Sequence, residues 1–360
     1  MTVTETQRRD SELASLAGIR AAALRRLPPD AATYLESGAG TESTLRANRD
    51  AFARWAIMPR PMTGVSDPDT SATLLGMPLA IPVLTAPFGG DGLFWPDGQQ
   101  SVARASARCG ILSIVPEVGT FSYETVRAVA PAAARIAQLH PYESFRYAAR
   151  RIRDAGYDAL CVTVDCPMTG YRKGGAVARG IPDRRVWSGN HLGDGTPSAN
   201  DMFRLGVSAR NPAWTWERLA EATAAQDLPW IAKGILTPEA AEAALAAGTA
   251  AIVVSNHGGR QVDPAPASLD TLPDIAAAVA GRVPLLLDSG IRSAADILIA
   301  LALGADAVII GRLAAYGLAA AGEDGVRRTI ELLAEELRTL MILAGIGDLA
   351  SVTRATVTRR

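Results

Sequence analysis

Across 360 residues the chain has only three cysteines and three histidines. Cys161 and Cys166 stand five apart in or beside one apolar run, an offset that directs them to opposite faces of a strand, and Cys109 has no local partner. Neither a disulfide framework nor a thiolate metal site is expected, and the cysteines read as reduced packing residues. No apolar run approaches the roughly 18 residues of a spanning helix. The opening Met1 to Asp10 stretch lacks the apolar core of a secretory leader, so a cytoplasmic location is expected. An excess of one charge is also missing: 36 Lys and Arg face 37 Asp and Glu. That balance creates no field for nucleic acid or an acidic membrane, and a small molecule is the expected partner.

What the chain does have is rhythm. After a helical segment over residues 11 to 55, short apolar runs alternate with longer amphipathic, alanine-rich ones from about residue 79. The runs are Ile81 to Leu84, Ile111 to Val115, Ala134 to Leu139, Ala159 to Val164, Trp230 to Ala232, Ala251 to Val254, Pro284 to Leu287 and Ala307 to Ile310. Their length and β-branching read as buried strands, each followed by a helix candidate, which describes an α/β (β/α)8 barrel better than an open sheet. Thr237-Pro238-Glu239 opens one helix and Ser293-Ala294-Ala295-Asp296 resembles a capping box. The expected organisation is one domain over 1–360: an N-terminal helical cap (1–75), the barrel (76–345) and a tail (346–360). The segment 173–214 is too long for an ordinary connection and reads as an active-site loop after the fourth strand.

Ligand loops of such a barrel lie at the C-terminal ends of its strands. There the polar residues collect: Ala86-Pro87-Phe88-Gly89, Pro116-Glu117, Gln138 with His140, Thr163 with Asp165 and Arg172, Lys233-Gly234, Ser255 to Asp263, Asp288 to Arg292, and Gly311-Arg312. In Ser255-Asn256-His257-Gly258-Gly259-Arg260, a base and a fixed cation are held three residues apart, with glycines that let the backbone turn and a flat ligand approach. The seventh and eighth runs end in glycines and arginines suited to a phosphate, so a phosphorylated cofactor or substrate is implied.

The Ala232-to-Ile235, Ser255-to-Asp263, Asp288-to-Arg292 and Gly304-to-Arg312 segments together resemble the FMN-dependent 2-hydroxy acid oxidases and dehydrogenases, which include glycolate, lactate and 4-hydroxymandelate oxidases. The likeness runs from about Tyr34 to the last barrel helix, and no haem domain is attached. It implies oxidation of a 2-hydroxy acid, aryl mandelate-like acids included, to the 2-oxo acid, with dioxygen or another acceptor taking the electrons from FMN, in a homotetramer. By the same resemblance His257 is the base, Asp165 orients it, and Arg260 and Arg172 clamp the substrate carboxylate. Tyr34 donates to the substrate, and Lys233 offsets the charge of reduced flavin. Gln138, Thr163 and Ser255 hold the ring's polar edge, Asp288 the ribityl chain, and Arg292, Gly311 and Arg312 the phosphate, with Ala86, Pro87 and Gly290 also binding the cofactor. No metal is expected.

Two positions depart from the family pattern. His140 stands where a tyrosine is usual, and Pro116-Glu117 where a small hydroxyl residue is common. They leave open an FMN-dependent oxidase of an amino acid, an amine or a biosynthetic intermediate, alongside a flavin-free barrel using Lys233 and a flavin-binding protein without catalysis. Phe88, Phe94 and Trp95 after the first strand point to an aryl or bulky substrate side chain. His191, in the long loop, reads as solvated.

Overall fold

The computed structural model describes residues 11–142, 144–172, 184–190 and 214–360. Most of the 173–214 segment, His191 included, lies outside these residues.

Three helices open the chain: α1 (Leu16–Arg26), α2 (Pro29–Glu36) and α3 (Ser43–Ala53). The Ser15 hydroxyl caps α1 by accepting from the Gly18 amide, and Pro29 sits at the first position of α2, where its missing N–H costs nothing. Strand β1 (Trp55–Ile57) follows, then the two strands β2 (Ala72–Leu74) and β3 (Met77–Leu79), which pair antiparallel with each other.

The next eight strands close a parallel barrel in chain order: β4 (Val83–Thr85), β5 (Leu112–Val115), β6 (Arg135–Leu139), β7 (Ala159–Thr163), β8 (Trp230–Ile235), β9 (Ala251–Val254), β10 (Leu285–Leu287) and β11 (Ala307–Ile310). Each overlaps one of the eight apolar runs. All but Gly234 in these strands are buried, because side chains of one face fill the barrel and those of the other meet helices. The helices between and after them are α4 (Gly98–Arg108), α5 (Tyr123–Ala128), α6 (Phe145–Asp154), α7 (Trp216–Ala224), α8 (Pro238–Ala246), α9 (Ser268–Val279), α10 (Ala294–Ala302) and α11 (Arg312–Ala344). The Thr237 hydroxyl caps α8, and Ser293 with Asp296 forms a reciprocal capping box on α10.

Helix α11 bends at Ala321 and Gly322, where the Trp95 ring occupies the space a Cβ on Gly322 would need. It packs along α1, and Tyr316 of α11 donates to Glu36, which also pairs with Arg20. The last strand, β12 (Val357–Arg359), pairs antiparallel with β1, under the guanidinium groups of Arg354 and Arg359 on the Trp55 ring. The chain's two ends are thus joined, and the N-terminal helices are held at the barrel's C-terminal mouth, as the contacts of Arg260 and Arg312 described below establish.

Candidate active site

At that mouth lies a cavity of about 990 Å³. This is the upper end of the volume range of small-molecule sites.

Its chemistry starts where β9 ends. His257 adopts a left-handed backbone (φ 60°), uncommon for a residue with a side chain and a form of strain that collects at functional sites. The strand-end polar groups hold it there: Ser255 Oγ accepts from the His257 amide (3.1 Å), and Ser289 Oγ accepts from the Gly258 amide (2.9 Å). Gly259 could carry no side chain, with φ +72° and the Leu45 backbone 2.7 Å from where its Cβ would stand. The motif's final residue, Asp263, serves another purpose. Its carboxylate accepts from the backbone or hydroxyls of Thr41, Ser43 and Thr44 at 2.7–2.9 Å, stapling the start of α3 to the barrel, and these bonds hold its pKa far below the usual carboxylate range.

Asp165, two residues past β7, places Oδ1 3.3 Å from His257 Nδ1. Gly234 of β8 makes this possible: a Cβ there would stand 2.5 Å from the Asp165 carboxyl carbon. Burial alone would raise the Asp165 pKa, but its contact with His257 and the charges of Lys233 and His140 lower it. An ionised Asp165 only accepts, so it fixes the proton on Nδ1 and leaves the far ring nitrogen of His257 as a base. The other carboxylate oxygen, Oδ2, is buried without a hydrogen-bond partner among the described residues. Burial, with the nearby positive charge of Lys233, pushes the His257 pKa below its ordinary value, so the imidazole is neutral at pH 7.

Lys233 is buried in β8, with Nζ 3.1 Å from Ser255 Oγ and 3.2 Å from Asp288 Oδ2. Burial opposes its charge, but Asp288 and Asp165 outweigh that and hold it as an ammonium. Across the barrel, Gln138 donates from Nε2 to Thr163 Oγ1 (3.0 Å) and accepts at Oε1 from the Glu117 amide (3.1 Å), giving the cavity floor a fixed polar edge.

Four arginines complete the lining. Arg260 donates to the carbonyls of Tyr34 (2.9 Å) and Ser37 (2.7 Å), and its guanidinium lies 4.9 Å from the centre of the Tyr34 ring. Arg312 donates to the carbonyls of Leu35, Ser37 and Gly258 at 3.0–3.1 Å. The exposed carbonyls at the end of α2 thus receive cations, as the negative end of a helix favours. Arg292 donates to its neighbour's carbonyl, that of Ile291. Among the described residues no carboxylate lies within ion-pair distance of Arg260, Arg292 or Arg312. Burial, reinforced by the charge of Arg172, pushes Arg260 down to about 9, and burial with Arg292 beside it pushes Arg312 down to about 10. Arg172 Nε is buried without a hydrogen-bond partner among the described residues.

Buried cations without counter-charges are costly, and an anion entering the cavity relieves the cost. At one end, Arg292 and Arg312 flank Gly290, Gly311 and the N-terminus of the long helix α11, whose cap carries no side-chain hydrogen bond. That end fits a phosphate. Lys233, Gln138, Thr163, Ala86 and Pro87 line the cavity too, as do His257, Arg172, Tyr34 and His140, and Arg260 stands beside Arg312, both donating to the Ser37 carbonyl. All the sequence-predicted site residues therefore line the cavity except Ser255, which is fully buried behind it and acts on Lys233 and His257. Pro116 and Glu117 also lie behind the wall.

The aromatic wall differs from the expectation. Phe88 and Phe94 line the cavity, with ring centres 6.1 Å apart, but Trp95 turns away onto the bend of α11. Trp187 takes its place, edge-on to the Tyr34 ring at 5.0 Å. Sequence reasoning missed Trp187 because it comes from an aperiodic stretch. Tyr142, stacked on the His140 ring at 4.9 Å, was legible only as an aromatic two residues beyond it.

Residues 23–359 match the sequence profile of the family described as FMN-dependent dehydrogenase. Among curated relatives, 4-hydroxymandelate oxidase of Amycolatopsis orientalis is 38% identical over 346 residues, covering 94% of this chain and 97% of the relative. L-lactate oxidase of Lysinibacillus sphaericus (strain C3-41) is 37% identical over 355 residues, covering 95% and 92%. A crystal structure of mandelate oxidase superposes with a TM-score of 0.86 at 37% identity, covering 96% of this chain and 98% of that one.

Proposed function

Since this chain belongs to the FMN-dependent dehydrogenase family and is an FMN enzyme that oxidises a 2-hydroxy acid to the 2-oxo acid, we propose that its substrate carries an aryl or similarly bulky side chain. The observation that carries this is the ring-lined wall of Tyr34, Phe88, Phe94 and Trp187. Aromatic surfaces recognise a flat apolar group by burial and by offset or edge contacts. The resemblance to 4-hydroxymandelate and mandelate oxidases supports the same reading.

Bound FMN supplies the two-electron acceptor; the protein supplies the rest. Arg292 and Arg312, with Gly290, Gly311 and the α11 N-terminus, would hold its phosphate, and Asp288 its ribityl chain. Ala86, Pro87, Gln138 and Thr163 would border its ring, where the Lys233 ammonium would offset negative charge. Ser255 steadies Lys233 from behind. Arg260 and Arg172 receive the substrate carboxylate, where a planar guanidinium matches two oxygens. Tyr34 Oη, only 3.4 Å from the Gly89 carbonyl and weakly engaged by it, is available to donate to the substrate. His257, neutral and oriented by Asp165, accepts the substrate proton.

The relatives' being named oxidases supports dioxygen as the terminal acceptor. Three unpaired cysteines accord with a reducing compartment such as the cytoplasm. Assembly into a homotetramer rests on the family resemblance alone.

An anaerobic titration of the purified protein, following flavin absorbance with glycolate, lactate and both mandelate enantiomers, tests the substrate. The expected result is fastest bleaching by a mandelate. Preference for glycolate or lactate overturns the aryl assignment, and release of hydrogen peroxide under air checks the acceptor.

A further inference from the structure

Beside the cavity lies a second histidine–carboxylate pair, to which the reading above gives no chemistry. Glu117 Oε2 accepts from both the backbone amide and the Nδ1 of His140, each at 2.8 Å. The carboxylate side chain is only 2% exposed and the imidazole 8%. Glu117 is held in turn: its amide donates to Gln138, and its carbonyl accepts from Asn190 Nδ2 at 2.9 Å. A carboxylate this deep is tolerated as an anion only beside a cation. Among the described residues, His140 is the one side chain in ion-pair range that can become a cation.

The surroundings of the ring lead to the same conclusion. Gln138 Nε2 stands 3.4 Å from each ring nitrogen, but it carries N–H groups and is committed to Thr163, so it gives the imidazole no acceptor. Cys166, whose Sγ accepts from Gln261 Nε2 at 2.9 Å, lines the cavity close enough to His140 to favour its charge, and a sulfur is a weak partner that an oxygen readily replaces. Tyr142 covers one face. Tyr123, whose pKa burial holds well above its ordinary value, stays neutral on the Glu117 side. Asp165 lies close enough to feel the His140 charge together with that of Lys233.

We propose that Glu117 is a positioning residue that keeps His140 as an imidazolium and leaves its second N–H for an oxygen of the bound acid. Burial alone would hold this histidine neutral, but the hydrogen bonds with Cys166 and Glu117 and the Glu117 charge outweigh it, raising the pKa to about 10. The site then contains two histidines with divided duties: His257 neutral to accept a proton, His140 charged to donate a hydrogen bond. The inference rests on the 2-hydroxy acid reading for its ligand, but the charge of His140 can be read without turnover.

The test uses histidine side-chain NMR of the full-length, FMN-loaded protein, whose three histidines make assignment tractable; His140→Asn identifies the signal. His140 should remain an imidazolium between about pH 7 and pH 9, whereas in Glu117→Gln it should titrate within or below that range. Alongside, oxalate binding is followed by its perturbation of the flavin spectrum. Affinity should fall roughly 10- to 100-fold in Glu117→Gln at about pH 9 and much less near pH 6, with recovery in Glu117→Asp. A neutral His140 at about pH 7 in the wild-type protein overturns the inference; so does oxalate affinity in Glu117→Gln that matches wild type at every pH. Absence of bleaching by any 2-hydroxy acid, with His140 still charged, would instead count against the substrate reading.

Discussion

The two histidine–carboxylate pairs use the same side-chain types in one cavity and reach opposite charge states. His257 meets Asp165 at 3.3 Å and has Lys233 nearby, so its protonated form is opposed by both burial and a neighbouring ammonium. His140 meets Glu117 at 2.8 Å, and the same carboxylate oxygen also takes its backbone amide. What separates them is the company: Lys233 and Arg172 oppose a charge on His257, whereas Cys166 and Glu117 both favour one on His140. A histidine's charge is therefore set by everything around the ring, and its contact with one carboxylate would not reveal it.

Removing the base should have the largest effect. His257→Gln is expected to slow substrate-dependent flavin bleaching by about 10³-fold or more while FMN stays bound, since general-base catalysis contributes about 10²- to 10⁴-fold and the neutral amide cannot replace it. Stopped-flow absorbance under anaerobic conditions checks this. Asp165→Asn should keep the geometry but lose the fixed tautomer, lowering the bleaching rate by about 10²-fold or more with little change in substrate affinity. An equal loss of affinity would show that Asp165 serves binding instead.

Arg260→Lys sharpens the comparison from the substrate side. A point charge in place of the fork should cost about 1–3 kcal/mol of carboxylate binding, read as a higher KM at nearly constant kcat. Gly234→Ala drives a methyl group toward Asp165 and strains a backbone at φ +115°, which should cost about 1–3 kcal/mol in chemical denaturation as well as activity.

A further test lies in the pH dependence of stability. The folded-state pKa of His140 is raised from 6.5 to about 10, so its stabilising contribution is complete below 6.5 and is lost as pH rises through about 10. Stability should therefore decline across that window, and His140→Phe should flatten the decline. Denaturation midpoints at a series of pH values measure both slopes.

The barrel was legible because each strand is a short apolar run buried on both faces, a signal that survives without tertiary information. His257 and Arg260 were legible because their spacing and glycines meet a local backbone need. The pairing of Glu117 with His140 was not, since the two residues come from the ends of neighbouring strands and nothing local marks their 2.8 Å contact; each read only as a departure from the family pattern. Trp95 and Trp187 show the same limit. Proximity in sequence put the first at the cavity, but the bend in α11 took it, and a residue some ninety positions away in the chain fills the wall. Ser255 stands in the right motif, yet its strand-end position turns it inward.

The N-terminal segment grips Arg312 and Arg260 mainly through the carbonyls of Tyr34, Leu35 and Ser37, with the Tyr34 ring lying against the Arg260 guanidinium as well. Main-chain oxygens are the same in every residue, so their part of this grip is indifferent to what those positions encode. The pocket-facing surface of the segment is consequently open to redesign within one limit: another aromatic in place of Tyr34 reshapes the substrate wall while keeping a ring against Arg260 and the carbonyl contacts to both arginines.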